Sequence, residues 1–351
     1  MTVRTILNIA KVSATYAGTI MGAGFASGQE LTQFFVIYGS MGLVGLVVTG
    51  LLLSWLGIQI LEIGHKIRAT CFHQLLYYVC GKRMGLFLDG VTTLFLFGVL
   101  TIMLAGAGTL CRDTFTLPYN LGVGIMALCL MFTTLYGLKG ITTANLIITP
   151  LLTMTVLLVG LYSLSHHELS LSIIHVTPQT TDLPAPHWLL SSFLYLSYNL
   201  MMSAAVLAPL GPCIPQRSAR ILGSIAGGLL LMMLAGLLTL VVMIHWPQSL
   251  EMEIPMLYIA SLQHPLHYTS YLLIFVAAMY TTGLASLYGC ATKLTAATSL
   301  TTSNSLLLLI ILSCACSHAG FSNLIAIIFP LFGYAALWFT GCLLYLSFFP
   351  K

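Results

Sequence analysis

Long, almost purely apolar runs follow one another along the chain, and short polar or Gly/Pro-containing breaks separate them. Most runs reach the roughly 20 apolar residues that a helix needs to cross the hydrocarbon core of a bilayer. We therefore predict ten transmembrane helices, which we call spans 1 to 10. They cover residues 6–37, 41–64, 84–110, 119–137, 141–164, 188–210, 218–245, 268–291, 303–317 and 321–348.

The composition supports a membrane protein, because 58% of the residues are apolar and 6% are charged. Soluble domains carry about a quarter of charged residues, so a water-soluble globule is excluded. The few basic residues form no patch that could bind nucleic acid. We predict an all-α polytopic membrane protein in which residues 1–351 form a single transmembrane domain with the lipid bilayer as its surroundings.

The basic residues also predict which side each loop occupies. With the N-terminus inside, every Lys and Arg except Arg112 falls on the cytoplasmic side, a strong positive-inside asymmetry. Both termini are therefore predicted to be cytoplasmic. The first apolar run is much longer than the core of a signal peptide, so we expect no cleavage.

The predicted spans divide equally about an outer loop at residues 165–187. Spans 1–5 occupy residues 1–164 and spans 6–10 occupy residues 188–351. Five spans in each half force the two halves into opposite orientations, which is the arrangement of an inverted repeat.

The segment from Gly18 to Glu30 is the strongest candidate for a site. Gly18, Gly22, Gly24 and Gly28 interrupt an apolar span, and each glycine weakens a helix by about 1 kcal/mol. Backbone groups freed inside a bilayer must be paired again with protein, water, an ion or a ligand. Glu30 adds an acid within the membrane, which is costly and usually functional. The alternative is that the glycines only allow close helix packing and Glu30 extends outward.

Two later spans carry polar residues that would face the bundle. Span 6 has Tyr198 and Asn199, and span 8 has Thr281 and Thr282. Asn199 could instead be an interhelical contact, and the threonines could bond to their own helix. No hydrolase, zinc-protease or ATP-binding motif is present, so we predict that the chain is not an enzyme and has no resident cofactor.

Other polar and small residues favour structural roles. Glu62 and Asp89, near cytoplasmic helix ends, predict a structural ion pair or gate. Glycines at heptad spacing in span 2 indicate close packing. Residues 69–80 predict an interfacial amphipathic helix, and residues 254–262 a short surface helix.

The run Gly22-Ala23-Gly24-Phe25-Ala26-Ser27-Gly28-Gln29-Glu30, with Ser197-Tyr198-Asn199 and Phe329-Pro330-Leu331-Phe332-Gly333-Tyr334, resembles the bacterial YkvI-type membrane proteins. These belong to the amino acid/polyamine/organocation superfamily. The resemblance implies a leucine-transporter-type fold with helices 1 and 6 broken at mid-bilayer, and a place in the bacterial cytoplasmic membrane.

The resemblance also implies a sodium site. The carbonyl groups of Gly18 and Met21 and the hydroxyl groups of Thr281 and Thr282 match its usual ligands. Glu30 is the competing carrier of a coupling proton.

From these features we predict a secondary active transporter of a small solute, such as an amino acid or related amine, that works by alternating access. The substrate-binding residues would be Gly22, Gly24, Phe25, Ala26, Ser27, Gly28, Glu30, Tyr198 and Asn199. The amides of Ala26–Gly28 would face an anionic group of the substrate. The alternative is a ligand-sensing receptor with the same fold and no transport. Substrate identity, transport direction and oligomeric state stay open.

Overall fold

The computed structural model describes the backbone of residues 3–136, 141–166 and 184–349, and the side chains of these ranges outside 136–147. Most of the predicted outer loop lies outside the described residues. The helices are α1 (Val3–Ile20), α2 (Ala23–Ser27), α3 (Gln29–Phe34), α4 (Gly39–Lys66), α5 (Phe72–Cys80), α6 (Lys82–Asp113), α7 (Tyr119–Tyr136), α8 (Ile141–His166), α9 (Trp188–Cys213), α10 (Arg217–Ile244), α11 (Gln248–Glu251), α12 (Pro255–Ser261), α13 (Pro265–Ala297), α14 (Thr302–Ser317) and α15 (Phe321–Phe348).

The described part of the chain is all helical, and each predicted span contains a helix at nearly the predicted position. In the part of the chain that the structure describes, seven helical segments are long and apolar enough to cross a membrane. Tyr119–Leu135 and Thr302–Ser317 are apolar but shorter. These findings confirm a polytopic all-α membrane protein.

The helices pack in two groups. Helices α1, α4, α9 and α10 contact one another, and α6, α7, α13 and α14 form the second group. Helix α8 touches α1, α10 and α13, while α15 touches α6 and α9, so both join the two groups. The short helices lie between the groups: α2 contacts α13 of the second group, and α3 contacts α9 and α10 of the first.

Glycines bring α4 and α9 together, as their spacing in span 2 predicts. A Cβ atom on Gly64 would overlap the backbone of Ala208, and one on Gly211 would overlap that of Leu61. Small residues at such crossings let helix backbones approach closely, which is the main source of helix association within lipid.

The structure confirms that span 1 is broken but not that span 6 is. Helix α1 ends at Ile20 and α2 begins at Ala23, whereas α9 continues from Trp188 to Cys213. The prediction of a discontinuous helix 6 is therefore wrong for this structure. The reason lies in the sequence, because the first glycine of α9 is Gly211, near its end. Without a glycine at mid-span, nothing weakens the helix there.

Candidate functional site

The first break frees several backbone carbonyl groups in the middle of the bundle, including those of Gly18 and Met21. The amide of Gly22 would donate to the Gly18 carbonyl in a continuous helix, but it donates to Ile20 at 2.8 Å instead. Among the described residues, no backbone amide donates to the Met21 carbonyl. The helix break therefore leaves the carbonyl groups of Gly18 and Met21 free of their helical hydrogen bonds.

A second interruption turns the chain between α2 and α3. Gly28 has a φ of +80°, a left-handed conformation that side chains other than glycine adopt at a cost. The Ser27 hydroxyl donates to the Gly24 carbonyl at 2.7 Å and accepts the Gln29 amide at 3.0 Å. This turn fixes the direction of α3, whose first turn carries Glu30.

The amides near this turn are already used. Ala26 donates to the carbonyl of Gly22 at 3.0 Å, and Gly28 donates to that of Phe25 at 3.1 Å. The Ala26 carbonyl accepts the hydroxyl of Tyr271 at 2.6 Å. The prediction that the amides of Ala26 and Gly28 face an anionic substrate group is therefore wrong for this structure. Whether Ala26, Ser27 and Gly28 contact substrate stays a prediction.

Glu30 lies inside the protein and does not extend outward. Its exposed fraction is 5%, and its carboxylate accepts a hydrogen bond from the Tyr198 hydroxyl at 2.8 Å. The other carboxylate oxygen lies against Gly24, where an added Cβ atom would overlap it. Glycine at position 24 therefore makes the room that the carboxylate occupies. The structure brings together three of the predicted substrate-binding residues, Gly24, Glu30 and Tyr198.

Aromatic rings surround Tyr198. Phe34, one helical turn after Glu30, lies 5.6 Å from the Tyr198 ring, and Phe329 of α15 lies 5.0 Å from it. Tyr195 lies at 5.3 Å and Phe95 of α6 at 6.3 Å. Phe34, Tyr195, Tyr198, Phe95 and Phe329, which we call the aromatic cluster, come from four helices.

The other predicted pocket residues lie beside this cluster. Asn199 is buried and donates to the Tyr195 carbonyl of its own helix at 2.9 Å. Phe25 and Tyr195 line a cavity of about 10 Å³ on the side of α4 and α10. That volume is room for about one water molecule. Since Glu30 and Tyr198 are themselves buried, the structure represents a closed conformation around Glu30.

Hydroxyl groups from two helices approach the first break. A Cβ atom on Gly22 would lie 3.6 Å from the Thr282 hydroxyl, and one on Gly18 would lie 3.0 Å from that of Thr149 in α8. Thr281 donates to the Ala278 carbonyl of its own helix at 3.2 Å. Thr282 is thus near the break as the sequence predicts, while the hydroxyl of Thr281 is used within α13.

A carboxylate joins three elements at the end that we predict to be external. Glu253 lies between α11 and α12 and accepts hydrogen bonds from the Thr109 hydroxyl at 2.9 Å and the Phe321 amide at 3.1 Å. Its other oxygen pairs with Arg112 at 3.0 Å. Helix α12 is buried rather than on the surface, and Met256 packs against Gly28. We call Glu253 and its three partners the outer clamp.

The opposite end, predicted to be cytoplasmic, has its own ion pairs. Arg220, which is 4% exposed, donates to Glu62 at 2.8 Å and to the Ile214 carbonyl at 2.7 Å. Asp89 of α6 pairs with Lys293 of α13. In the described part of the chain, Glu62 and Asp89 thus form ion pairs as predicted, but with Arg220 and Lys293 and not with the neighbouring Lys66, Lys82 or Arg83. We call the pair of Glu62 and Arg220 the inner clamp.

Sequence reasoning missed several contributors to the site. Thr149 resembles any other hydroxyl in an apolar helix, and no local pattern indicates that it faces Gly18. Gln29 donates to Ser322 at the start of α15, yet its own carbonyl oxygen is buried without a hydrogen-bond partner among the described residues. Arg112, the one Lys or Arg predicted to lie outside, was an available signal for the outer clamp.

The chain is similar to the uncharacterized membrane protein YkvI of Bacillus subtilis (strain 168). The two are 29% identical over an alignment that covers 95% of this chain and 94% of the relative. No family model matches the chain.

Solved transporter structures share its fold. A Na⁺-coupled sialic acid symporter, in a substrate-bound outward-open state, aligns with a TM-score of 0.62, 15% identity and coverage of 97% of this chain and 78% of that chain. MhsT in complex with L-phenylalanine aligns with a TM-score of 0.62, 14% identity and coverage of 93% and 87%. At these identities the likeness shows the leucine-transporter-type fold alone. Since these proteins are transporters, the likeness is consistent with the prediction that the chain is not an enzyme.

Proposed function

We propose that the chain is a secondary active transporter that couples the movement of a small solute to a cation gradient by alternating access. One observation carries the proposal: a helix broken at Met21–Gly22 lies beside a buried acid, Glu30, at the junction of two helix groups. Backbone groups without hydrogen-bond partners and ionisable side chains are both costly at mid-bilayer. They are retained where they bind an ion or a cargo.

The proposed architecture has ten spans in two inverted repeats, residues 1–164 and 188–351, with both termini in the cytoplasm. The long helices and the transporter fold of the solved neighbours support this arrangement. It also assigns Arg112 and Glu253 to the outside and Glu62 and Arg220 to the inside of a bacterial cytoplasmic membrane.

The proposed coupling ion is sodium, bound at the first break. The freed carbonyl groups of Gly18 and Met21 and the nearby hydroxyl of Thr282 are oxygen ligands of the kind that hard cations prefer. The Thr281 hydroxyl would have to leave Ala278 to join them, and Thr149 is a further oxygen at the same place. A proton on Glu30 is the alternative.

The proposed substrate is an amino acid or a related amine that lies between the break and the aromatic cluster. Gly22 and Gly24 would allow close approach to the backbone, while Phe25, Tyr198 and Asn199 would shape the pocket. Because Glu30 and the rings of the cluster are buried in the closed structure, binding requires the cluster to open. Such opening is what alternating access provides.

Uptake into liposomes tests the proposal. The purified chain is reconstituted, and a panel of amino acids and amines is presented under an imposed sodium or proton gradient. We expect accumulation of at least one solute that ends when the gradient is collapsed by an ionophore. A receptor with this fold would bind a solute from the panel without accumulating it, and that result would overturn the transport proposal.

A further inference from the structure

Glu30 holds a buried carboxylate that no basic side chain neutralises within the described part of the chain. The ion pairs there use Asp89, Asp113, Glu62 and Glu253, and none involves Glu30. Among the described residues, its one hydrogen-bond donor is the neutral hydroxyl of Tyr198. A buried carboxylate of this kind is stable only when it is protonated or when a cation joins it.

The surroundings of Glu30 favour an organic cation over a metal ion. A hard metal ion needs several oxygen ligands, and within the described ranges the Tyr198 hydroxyl is the one oxygen group bonded to this carboxylate. The aromatic cluster instead offers ring faces on four helices around Tyr198. Ammonium groups bind the faces of such rings, and aromatic cages are a common means of recognising them.

The position of the carboxylate also excludes one kind of amine. The oxygen of Glu30 that lies against Gly24 occupies the space beside the start of α2. A substrate carboxylate that approached the same place would meet a like charge at short range in a medium of low dielectric constant. An amine without a carboxylate meets no such repulsion.

We propose that this site binds an organic ammonium ion that carries no carboxylate beside its amine, held between Glu30 and the aromatic cluster. The inference deepens the proposed function and rests on it, because the closed centre must open before a cargo can enter. It selects simple amines over amino acids among the substrates of the proposed transporter.

Matched amine and amino acid pairs test the proposal. Phenethylamine with L-phenylalanine, cadaverine with L-lysine, and ethanolamine with L-serine differ within each pair by one carboxylate. Each compound is titrated against the purified full chain in lipid nanodiscs, and binding is measured from the rise in melting temperature. We expect at least one amine to bind at least tenfold more tightly than its amino acid partner.

Two variants connect the effect to this site. Glu30→Gln removes the charge at equal size and is expected to weaken amine binding at least tenfold. Phe329→Leu keeps the charge but removes one ring, and a loss of about threefold to tenfold is expected from a cation–π contact. Glu251→Gln, at an exposed acid near the end of α11, is the matched control and is expected to change nothing.

The results separate failure of this inference from failure of transport. The inference is overturned if every amino acid of the panel binds as tightly as its amine, if no amine of the panel binds, or if Glu30→Gln keeps full amine affinity. Gradient-driven accumulation of L-phenylalanine without binding of any amine would overturn the inference and leave the transport proposal intact. Amine binding that depends on Glu30, without accumulation of any solute, would support the amine site and overturn transport.

Discussion

Replacing Gly24 by alanine tests the packing at the centre of the proposed site. The added Cβ atom would overlap a carboxylate oxygen of Glu30 and lie 2.8 Å from its Cδ atom, so the side chain must move. Movement breaks the hydrogen bond with Tyr198, and a bond between neutral groups contributes about 0.5–1.5 kcal/mol. If the side chain stays, overpacking costs about 1–3 kcal/mol. In both cases we expect Gly24→Ala to destabilise the protein by about 1–2 kcal/mol.

The assay is thermal unfolding of the purified chain, with a second glycine as a control. A Cβ atom on Gly124 of α7 would meet nothing within 4 Å, so Gly124→Ala is expected to be neutral or stabilising by up to about 1 kcal/mol. The penalty of Gly24→Ala should persist in a Glu30→Gln background, because glutamine has the same size. It should nearly vanish in a Glu30→Ala background, where the overlapping atoms are gone.

Two results would refute this reasoning. The first is that Gly24→Ala melts at the wild-type temperature, which would mean that Glu30 moves without loss of stability. The second is that Gly24→Ala costs as much stability in the Glu30→Ala background as in the wild type. That result would mean that the cost arises from the helix break in span 1 and not from the carboxylate.

Three further predictions concern coupling and closure. Thr282→Ala should lower the sodium-dependent rise in melting temperature severalfold, whereas Thr269→Ala, an exposed threonine of the same helix that bonds to its own helix, should not. Glu253→Gln should increase amide hydrogen exchange in α12 about fivefold, because a partly exposed ion pair contributes about 1 kcal/mol. Glu62→Gln should destabilise the chain by about 2 kcal/mol, since it leaves the buried Arg220 without its carboxylate.

Each of these has its own control and contrary outcome. An unchanged sodium response in Thr282→Ala would move the coupling role to Glu30. For the outer clamp, Asp113→Asn removes the other acid paired with Arg112 and should leave α12 unchanged. Exchange in α12 that is equal in wild type and Glu253→Gln would contradict the outer clamp. For the inner clamp, Glu251→Gln is the control, and equal melting of Glu62→Gln and wild type would contradict it.

The helices were predictable from the sequence because bilayer thickness sets a minimum length for an apolar run. The break in span 1 was predictable for a related reason, since glycines at 18, 22, 24 and 28 weaken one segment repeatedly. The same reasoning applied to α9 would have predicted a continuous helix, because that helix lacks a glycine before Gly211. The break in helix 6 was instead carried over from the resemblance, and local chemistry decided against it.

The contacts of the site were less predictable, because an apolar helix gives little sign of which face each polar residue takes. Glu30 could be identified as a buried acid, but its pairing with Tyr198 joins residues 168 positions apart. The approach of Thr149 to Gly18 depends in the same way on how α8 packs against α1. Such contacts are set by tertiary packing and not by local sequence.

In the proposed transporter, the outer and inner clamps would keep the site closed at its two ends, and their release would give alternating access a concrete form. The outer clamp holds α6, α15 and the segment leading to α12, while the inner clamp holds α4 to α10. Opening toward one side breaks one clamp and leaves the other intact. Glu253 lies just before α12, and α12 covers Gly28 between α2 and α3. Release of the outer clamp, in which Glu253 pairs with Arg112, would therefore uncover α2 and α3 first. A cation reaching Glu30 by that route would neutralise its charge, which favours closing the site again around the cargo.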